Sequence, residues 1–201
     1  MKIIVVGATG TIGSKVVETL TARHEVVKVA RSTEPKVNLE EPATIRALFE
    51  NVREVDAVIC CAGRAVFKSL AELTDADYEL GLRSKLMGQI LLARISKDHL
   101  RDGGSIALTT GTLATHPIAG SASISTVNAG LEGFVRAAAL ELPRNLRINA
   151  ISPPWIKETL IKLRMDPTPG LASAEVAKAY VAAVEGPHQG KILDPYEFLR
   201  T

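Results

Sequence analysis

An excess of charge of either sign is missing from this chain. Its 201 residues carry 24 Lys and Arg against 22 Asp and Glu, a formal net charge of +2, and no basic run stands out. So balanced a chain has no electrostatic footprint for nucleic acid or an anionic membrane, and neither is expected as a partner. Cysteine is nearly absent: Cys60 and Cys61 are adjacent and cannot build a disulfide framework. Long hydrophobic runs are lacking too. The opening MKIIVV reaches Gly7 after four apolar residues, too few for a signal-peptide core or a bilayer span, and later apolar patches are interrupted by charges. Together these absences predict a protein of the reducing cytoplasm. What is present is apolar content, 46% of the residues, which excludes disorder. Residues 1–201 fit a single domain able to bury a substantial core.

Short apolar runs alternate with longer amphipathic stretches, the pattern of βαβ units around a parallel sheet. Strands are expected at Ile3–Val6, Val26–Ala30, Ala57–Cys61, Ser105–Leu108, Ile148–Ile151 and Lys191–Leu193. Between them, helices are expected from about Thr11 to Ala22, at Ala43–Val52 and near Glu175–Val184. Two long helices are also expected. Thr74 caps the first, which runs to about Leu100 before Gly103-Gly104 break it; the second covers about Ser123 to Leu142 and stops at Pro143. The architecture predicted is a three-layer α/β Rossmann fold, a doubly wound parallel sheet with helices on both faces.

The strongest local signal is Gly7-Ala8-Thr9-Gly10-Thr11-Ile12-Gly13, set between an expected strand and an expected helix. Gly7 can take the positive φ of a tight turn, Gly10 admits a pyrophosphate to the backbone, and Gly13 lets helix pack closely on strand. The free amides around Thr11 and Ile12 then face phosphate with the helix dipole behind them. Where an NAD site carries an acidic residue at the end of the second strand, this chain has Arg31-Ser32. A guanidinium there pairs with a 2′-phosphate that a carboxylate would repel, so NADPH (NADP+) is the cofactor expected.

These residues resemble the short-chain dehydrogenase/reductase family across nearly the whole chain. Cys61-Ala62-Gly63 is similar to the family's Asn-Ala-Gly turn beside the adenine ribose, and Asn38-Leu39 to the pair that meets the adenine ring. Gly104-Ser105-Ile106 with Thr109-Thr110-Gly111 resembles the strand that ends in the family's catalytic serine. Asn149-Ala150-Ile151-Ser152-Pro153 resembles the stretch beneath the nicotinamide, with Pro154 where glycine is usual. The resemblance implies cofactor contacts from Pro153 and Ile156 as well.

The family's Tyr-x-x-x-Lys pair does not match. Alignment on NAGLEGFVRAAALEL puts Ile124 at the tyrosine position and Asn128 at the lysine position, and no tyrosine lies between Tyr78 and Tyr180. The serine position holds Gly111, with the Thr110 hydroxyl one residue earlier. Three residues before Gly88, where the family carries an asparagine, stands Lys85. Lys85 and Asn128 are therefore expected to face each other with exchanged roles, Lys85 near the nicotinamide ribose and Asn128 bonding a hydroxyl. Catalysis is assigned to Thr110, Lys85 and Asn128, and Lys85→Met is expected to weaken NADPH binding sharply. A small subgroup of the family shares this pattern of intact cofactor loop and altered site.

His116 is a stand-in acid or a surface histidine, and Trp155 a pocket cover or a core plug. No metal site is expected, because the histidines lack partners at ligand spacing. The resemblance implies a homodimer or homotetramer through the two long helices. Two functions are open: an NADPH-dependent oxidoreductase acting on a small carbonyl or hydroxyl compound, and a catalytically silent NADPH-binding sensor.

Overall fold

The computed structural model describes residues 1–199. Six parallel strands form one sheet in the order β2-β1-β3-β4-β5-β6: β1 Lys2–Val6, β2 Glu25–Val29, β3 Val55–Cys60, β4 Leu100–Thr109, β5 Arg147–Ile151 and β6 Ile192–Leu193. Successive residues of a strand point to opposite faces, and β1 is apolar at both parities. Ile3 and Val5 thus pack under α1 (Thr11–Thr21) and α7 (Ser173–Glu185), while Ile4 and Val6 pack under α2 (Pro42–Asn51), α4 (Gly88–Ser96) and α5 (Ala122–Ala138). This is the doubly wound three-layer fold expected.

The chain steps outward from β1 to β2, then returns to place β3 on the other side of β1. Where an open parallel sheet reverses direction, the loops after the two flanking strands part and leave a crevice. Here those loops are the glycine turn after β1 and the Cys61–Gly63 turn after β3, tied together by the Cys61 amide donating to the Val6 carbonyl at 2.8 Å.

The first long helix differs from expectation. It is three pieces: α3 (Asp75–Gly81), a π-helical stretch Leu82–Met87, and α4, which stops at Ser96. Leu100 continues the helical spacing of apolar residues, yet it pairs with Val55 and opens β4. Gly103 and Gly104 break no helix. They lie within β4, where the register against β3 shifts, and a Cβ on Gly104 would come within 2.8 Å of the Asp56 carbonyl oxygen. The helix expected to reach Leu142 ends at Ala138; beyond it the Leu140 amide donates to Ala137 O and the Glu141 amide to Ala138 O, both at 3.1 Å, a tighter turn that leaves Leu140 88% exposed. A sixth helix, α6 (Lys157–Lys162), was not anticipated. Six residues are too short to display a helical period, and α6 is held by distant backbone, the Lys157 amide donating to Leu171 O at 2.9 Å.

Candidate active site

The glycine turn is dictated by sterics. Gly7 sits at φ +84°, and a Cβ there would lie 2.9 Å from the Ala62 nitrogen. A Cβ on Gly13 would lie 2.0 Å from the Gly7 carbonyl oxygen, so only glycine lets α1 start this close to β1. No side chain caps α1 and no acidic residue stands in its first turn. Its first amides therefore retain their capacity to bind an anion.

A groove of about 400 Å³ opens beside this turn. It gathers Gly7, Thr9 and Gly10 with Arg31 and Ser32 from the end of β2, Asn38 and Leu39, and Cys61, Ala62 and Gly63. Thr11 and Ile12 are not in its wall. Thr11 accepts a hydrogen bond from Lys162, and the Ile12 side chain packs against the core beneath the sheet, so only backbone amides are offered from these two. Arg31 is exposed and has neither ion pair nor hydrogen bond among the described residues, leaving its whole fork of donors free. The Asn38 amide, in contrast, is committed to its own loop: it donates to Glu41 Oε1 at 2.7 Å and accepts from the Glu40 amide at 3.2 Å. Sequence reasoning missed Arg64, one residue past the turn it examined; Arg64 borders the groove and pairs with Glu40 at 3.3 Å. The cradle, the uncapped amides and the unpaired guanidinium fit a phosphorylated dinucleotide.

A second cavity of about 170 Å³ adjoins the first across the Gly63–Lys85 contact. Lys85, Thr110, Asn128, Pro153 and Ile156 all line it, together with Ile124 and Trp155. The stem of Lys85 passes 3.0 Å from where a Gly63 Cβ would stand, and its Nζ donates to the Thr110 carbonyl at 3.2 Å. Burial pushes this ammonium down to about 8, with little to oppose it beyond the Cys60 thiol. From the opposite wall Asn128 Nδ2 donates to the next carbonyl, that of Gly111, at 3.4 Å, while its Oδ1 is buried with no partner. The two side chains that appear exchanged in the sequence thus hold consecutive carbonyls of one loop. Gly111 belongs to the same substitution, since a Cβ there would press on Asn128 Nδ2 at 3.0 Å.

The Thr110 hydroxyl is not directed into the cavity: it donates to the Ile151 carbonyl at 3.2 Å, so its proton is already engaged. His116 is exposed and outside the cavity wall, bonded to its neighbour Thr115 at 2.9 Å. Trp155 is a wall of the cavity, set edge-on to Phe67 with ring centroids 5.7 Å apart. Tyr180 packs under the opposite face of the sheet, its hydroxyl 2.6 Å from Thr109 Oγ1. Burial pushes the Cys60 thiol up to about 12 and raises Cys61 as well, which makes both poor thiolates and leaves them packing groups.

Gln89 is the positioning residue that the sequence hides. Fully buried, it closes a two-point bridge on Thr109: Nε2 donates to the carbonyl at 2.9 Å and Oε1 accepts from the amide at 2.8 Å. It stands in for a missing strand neighbour just before Thr110. Gln89→Leu leaves both backbone groups buried and unpaired, and urea titration should show a loss of about 2–4 kcal/mol. A change under 0.5 kcal/mol would contradict this account.

A glycine turn at the switch point of an open parallel sheet, an uncapped helix start and a free arginine after the second strand together define a dinucleotide-binding α/β protein. Residues 3–183 match the family model described as Enoyl-(Acyl carrier protein) reductase, and the chain belongs to the short-chain dehydrogenase/reductase family. It is 27% identical over 164 residues to the Hydroxynaphthalene reductase-like protein Arp2 of Metarhizium brunneum (strain ARSEF 3297). That match takes in 76% of this chain and 61% of the relative, so the chain spans less than two thirds of the relative's length. Among solved structures, protein lin1944 from Listeria innocua superposes with a TM-score of 0.92 at 36% identity, over 96% of this chain and 98% of that one. A small-chain dehydrogenase in complex with NADPH shares the fold, with a TM-score of 0.83 at 23% identity over 96% of this chain and 95% of that one. Among the described residues no helix is long and apolar enough to cross a membrane.

Proposed function

We propose that this chain is an NADPH-dependent oxidoreductase interconverting a small carbonyl compound and its alcohol, with Lys85, Asn128 and Thr110 as its working group. One observation carries the reading: a buried ammonium and an unpartnered amide oxygen converge on a cavity that borders a groove shaped for a dinucleotide. The nicotinamide, when bound, supplies or accepts the hydride. The chain supplies the rest. The amides after Gly10 hold the diphosphate, and Arg31 with the Ser32 hydroxyl holds the 2′-phosphate. Lys85, anchored by the Thr110 carbonyl, polarises the substrate oxygen and delivers its proton. Asn128 Oδ1 accepts from a hydroxyl or amide donor of cofactor or substrate. Thr110 acts through its backbone carbonyl, since its hydroxyl is engaged elsewhere.

Arg31→Ala should raise the Kd for NADPH at least tenfold and leave that for NADH within about twofold, as a charge-assisted phosphate contact is lost. Calorimetric titration of both nucleotides checks this; equal loss for the two would move the 2′-phosphate away from Arg31. Turnover is read by following absorbance of the reduced nicotinamide over a panel of carbonyl compounds. Steady consumption with one compound supports the enzyme, and stoichiometric binding with no consumption would favour the silent sensor. The proposal includes a homodimer or homotetramer through the α3–α4 segment and α5, supported by the exposed apolar Met87, at the end of the π-helical stretch before α4, and Leu140, in the turn after α5, and sedimentation velocity tests it.

A further inference from the structure

We infer that Lys162 is a ligand of the dinucleotide diphosphate, reaching over the glycine turn from α6 so that the phosphates lie between a helix start and an ammonium of a different element. The inference rests on the reading of the larger groove as a dinucleotide site. Lys162 Nζ donates to Thr11 Oγ1 at 3.1 Å, a contact between residues 151 positions apart. Thr11 is the first residue of α1, immediately after Gly10, where the uncapped amides gather. The Lys162 ammonium has three donors and spends one; it meets no carboxylate among the described residues. The acidic side chains of the neighbourhood are engaged with others, Glu18 with Lys15 at 2.7 Å and Glu158 with the Ser173 hydroxyl at 2.8 Å. A cation left with unspent donors beside a positive helix end is unfavourable in the protein alone and favourable once an anion lies between them.

The position of this lysine is imposed by packing. Leu160 is 2% exposed and roots α6 in the body of the protein, and Glu158 grips the Ser173 amide at 3.0 Å. A Cβ on Gly170 would stand 2.7 Å from Lys157 Cα, so the glycine lets the following chain press directly on the start of α6. The same short segment sends Ile156 and Thr159 into the wall of the smaller cavity. An anion drawn to Lys162 therefore settles α6 against α1, and with it one wall of the reaction cavity.

The diphosphate is common to NADPH and NADH, whereas the 2′-phosphate is not, and the test uses this difference. Lys162 is exposed, so Lys162→Met and Lys162→Arg should fold as the parent does, which circular dichroism verifies. By calorimetry Lys162→Met should raise the Kd of both nucleotides by the same factor, about tenfold, and Lys162→Arg should stay within about threefold of the parent. Hydrogen exchange across 157–162 should slow on NADPH binding in the parent and much less in Lys162→Met. Unchanged affinity of Lys162→Met for both nucleotides, with the parent binding normally, overturns the assignment and leaves the groove reading intact. A loss confined to NADPH also overturns it, placing the lysine at the 2′-phosphate. A parent that takes up neither nucleotide removes the groove reading itself, and this inference with it.

Discussion

Gly13→Ala is expected to abolish saturable NADPH binding and to lower the melting temperature by about 5–10 °C. Its Cβ would stand 2.0 Å from the Gly7 carbonyl oxygen, 2.8 Å from the Gly7 carbonyl carbon and 3.2 Å from Ala8 Cα. All three are backbone atoms, so no side chain can rotate aside. Either α1 withdraws from β1, or the turn opens. The first loosens Val16, Val17 and Leu20 from the core under Ile3 and Val5; the second destroys the phosphate cradle. Overpacking of this kind costs about 1–3 kcal/mol, and a clash with backbone belongs at the upper end; for a chain of this size each kcal/mol is worth roughly 2–4 °C. Gly10→Ala is the informative contrast. Its Cβ would meet one atom, the Gly7 oxygen, at 3.2 Å, so stability should fall much less than in Gly13→Ala while the approach of phosphate to the backbone is blocked. Fluorescence titration and a thermal melt of the two variants separate stability from binding. Normal NADPH affinity in Gly13→Ala would contradict the turn as the binding element.

Lys85→Met should lower kcat for carbonyl reduction by about 10²–10⁴-fold, the usual worth of a positioned acid, and weaken NADPH binding, yet raise thermal stability at pH 7. The last part follows from the direction of its shift. Burial lowers the folded-state value to about 8 against 10.5 for an ordinary lysine. Between those values the unfolded chain holds a proton that the folded chain has released, so stability rises with pH across that window. Below about pH 8 both states are charged, and the folded protein carries the full desolvation cost of the ammonium. Methionine removes that cost, so at pH 7 the variant should melt a few degrees higher. Reduction by the parent should fall as pH climbs through about 8, where the proton to be delivered disappears. Lys85→Arg keeps the charge but not a transferable proton, and should bind NADPH while turning over poorly. A variant lacking Lys85 that retained turnover, with the same pH profile, would discard the lysine as the acid.

Much of the site was legible because it is local. The glycine turn spans seven consecutive residues, and each glycine answers to contacts within that turn or with the Cys61–Ala62 turn packed against it. The strand that precedes it is apolar at every position from Ile3 to Val6, which only burial on both faces explains. Alignment on Gly88 and on the Asn128 helix was likewise enough to bring Lys85 and Asn128 into one cavity. Gln89 stayed hidden, since a glutamine in a helix ordinarily reads as a solvated residue; its burial follows from the gap it fills beside Thr109. The long first helix was misread because Leu100 keeps helical spacing, and the pairing that claims it lies 45 residues upstream at Val55.

By itself the sequence determined the layered sheet and the glycine turn, because continuous apolar runs and the sterics of glycine act over a few neighbouring positions. The tertiary structure alone decided the chemistry of the cavity. The descent of the Lys85 ammonium, the isolation of Asn128 Oδ1 and the engaged Thr110 hydroxyl all require segments far apart in the chain to exclude water together, and the exposed approach of Lys162 to Thr11 requires two such segments to meet. Desolvation and the loss or supply of a hydrogen-bond partner are properties of the assembled surroundings, and no residue carries them in its own spacing.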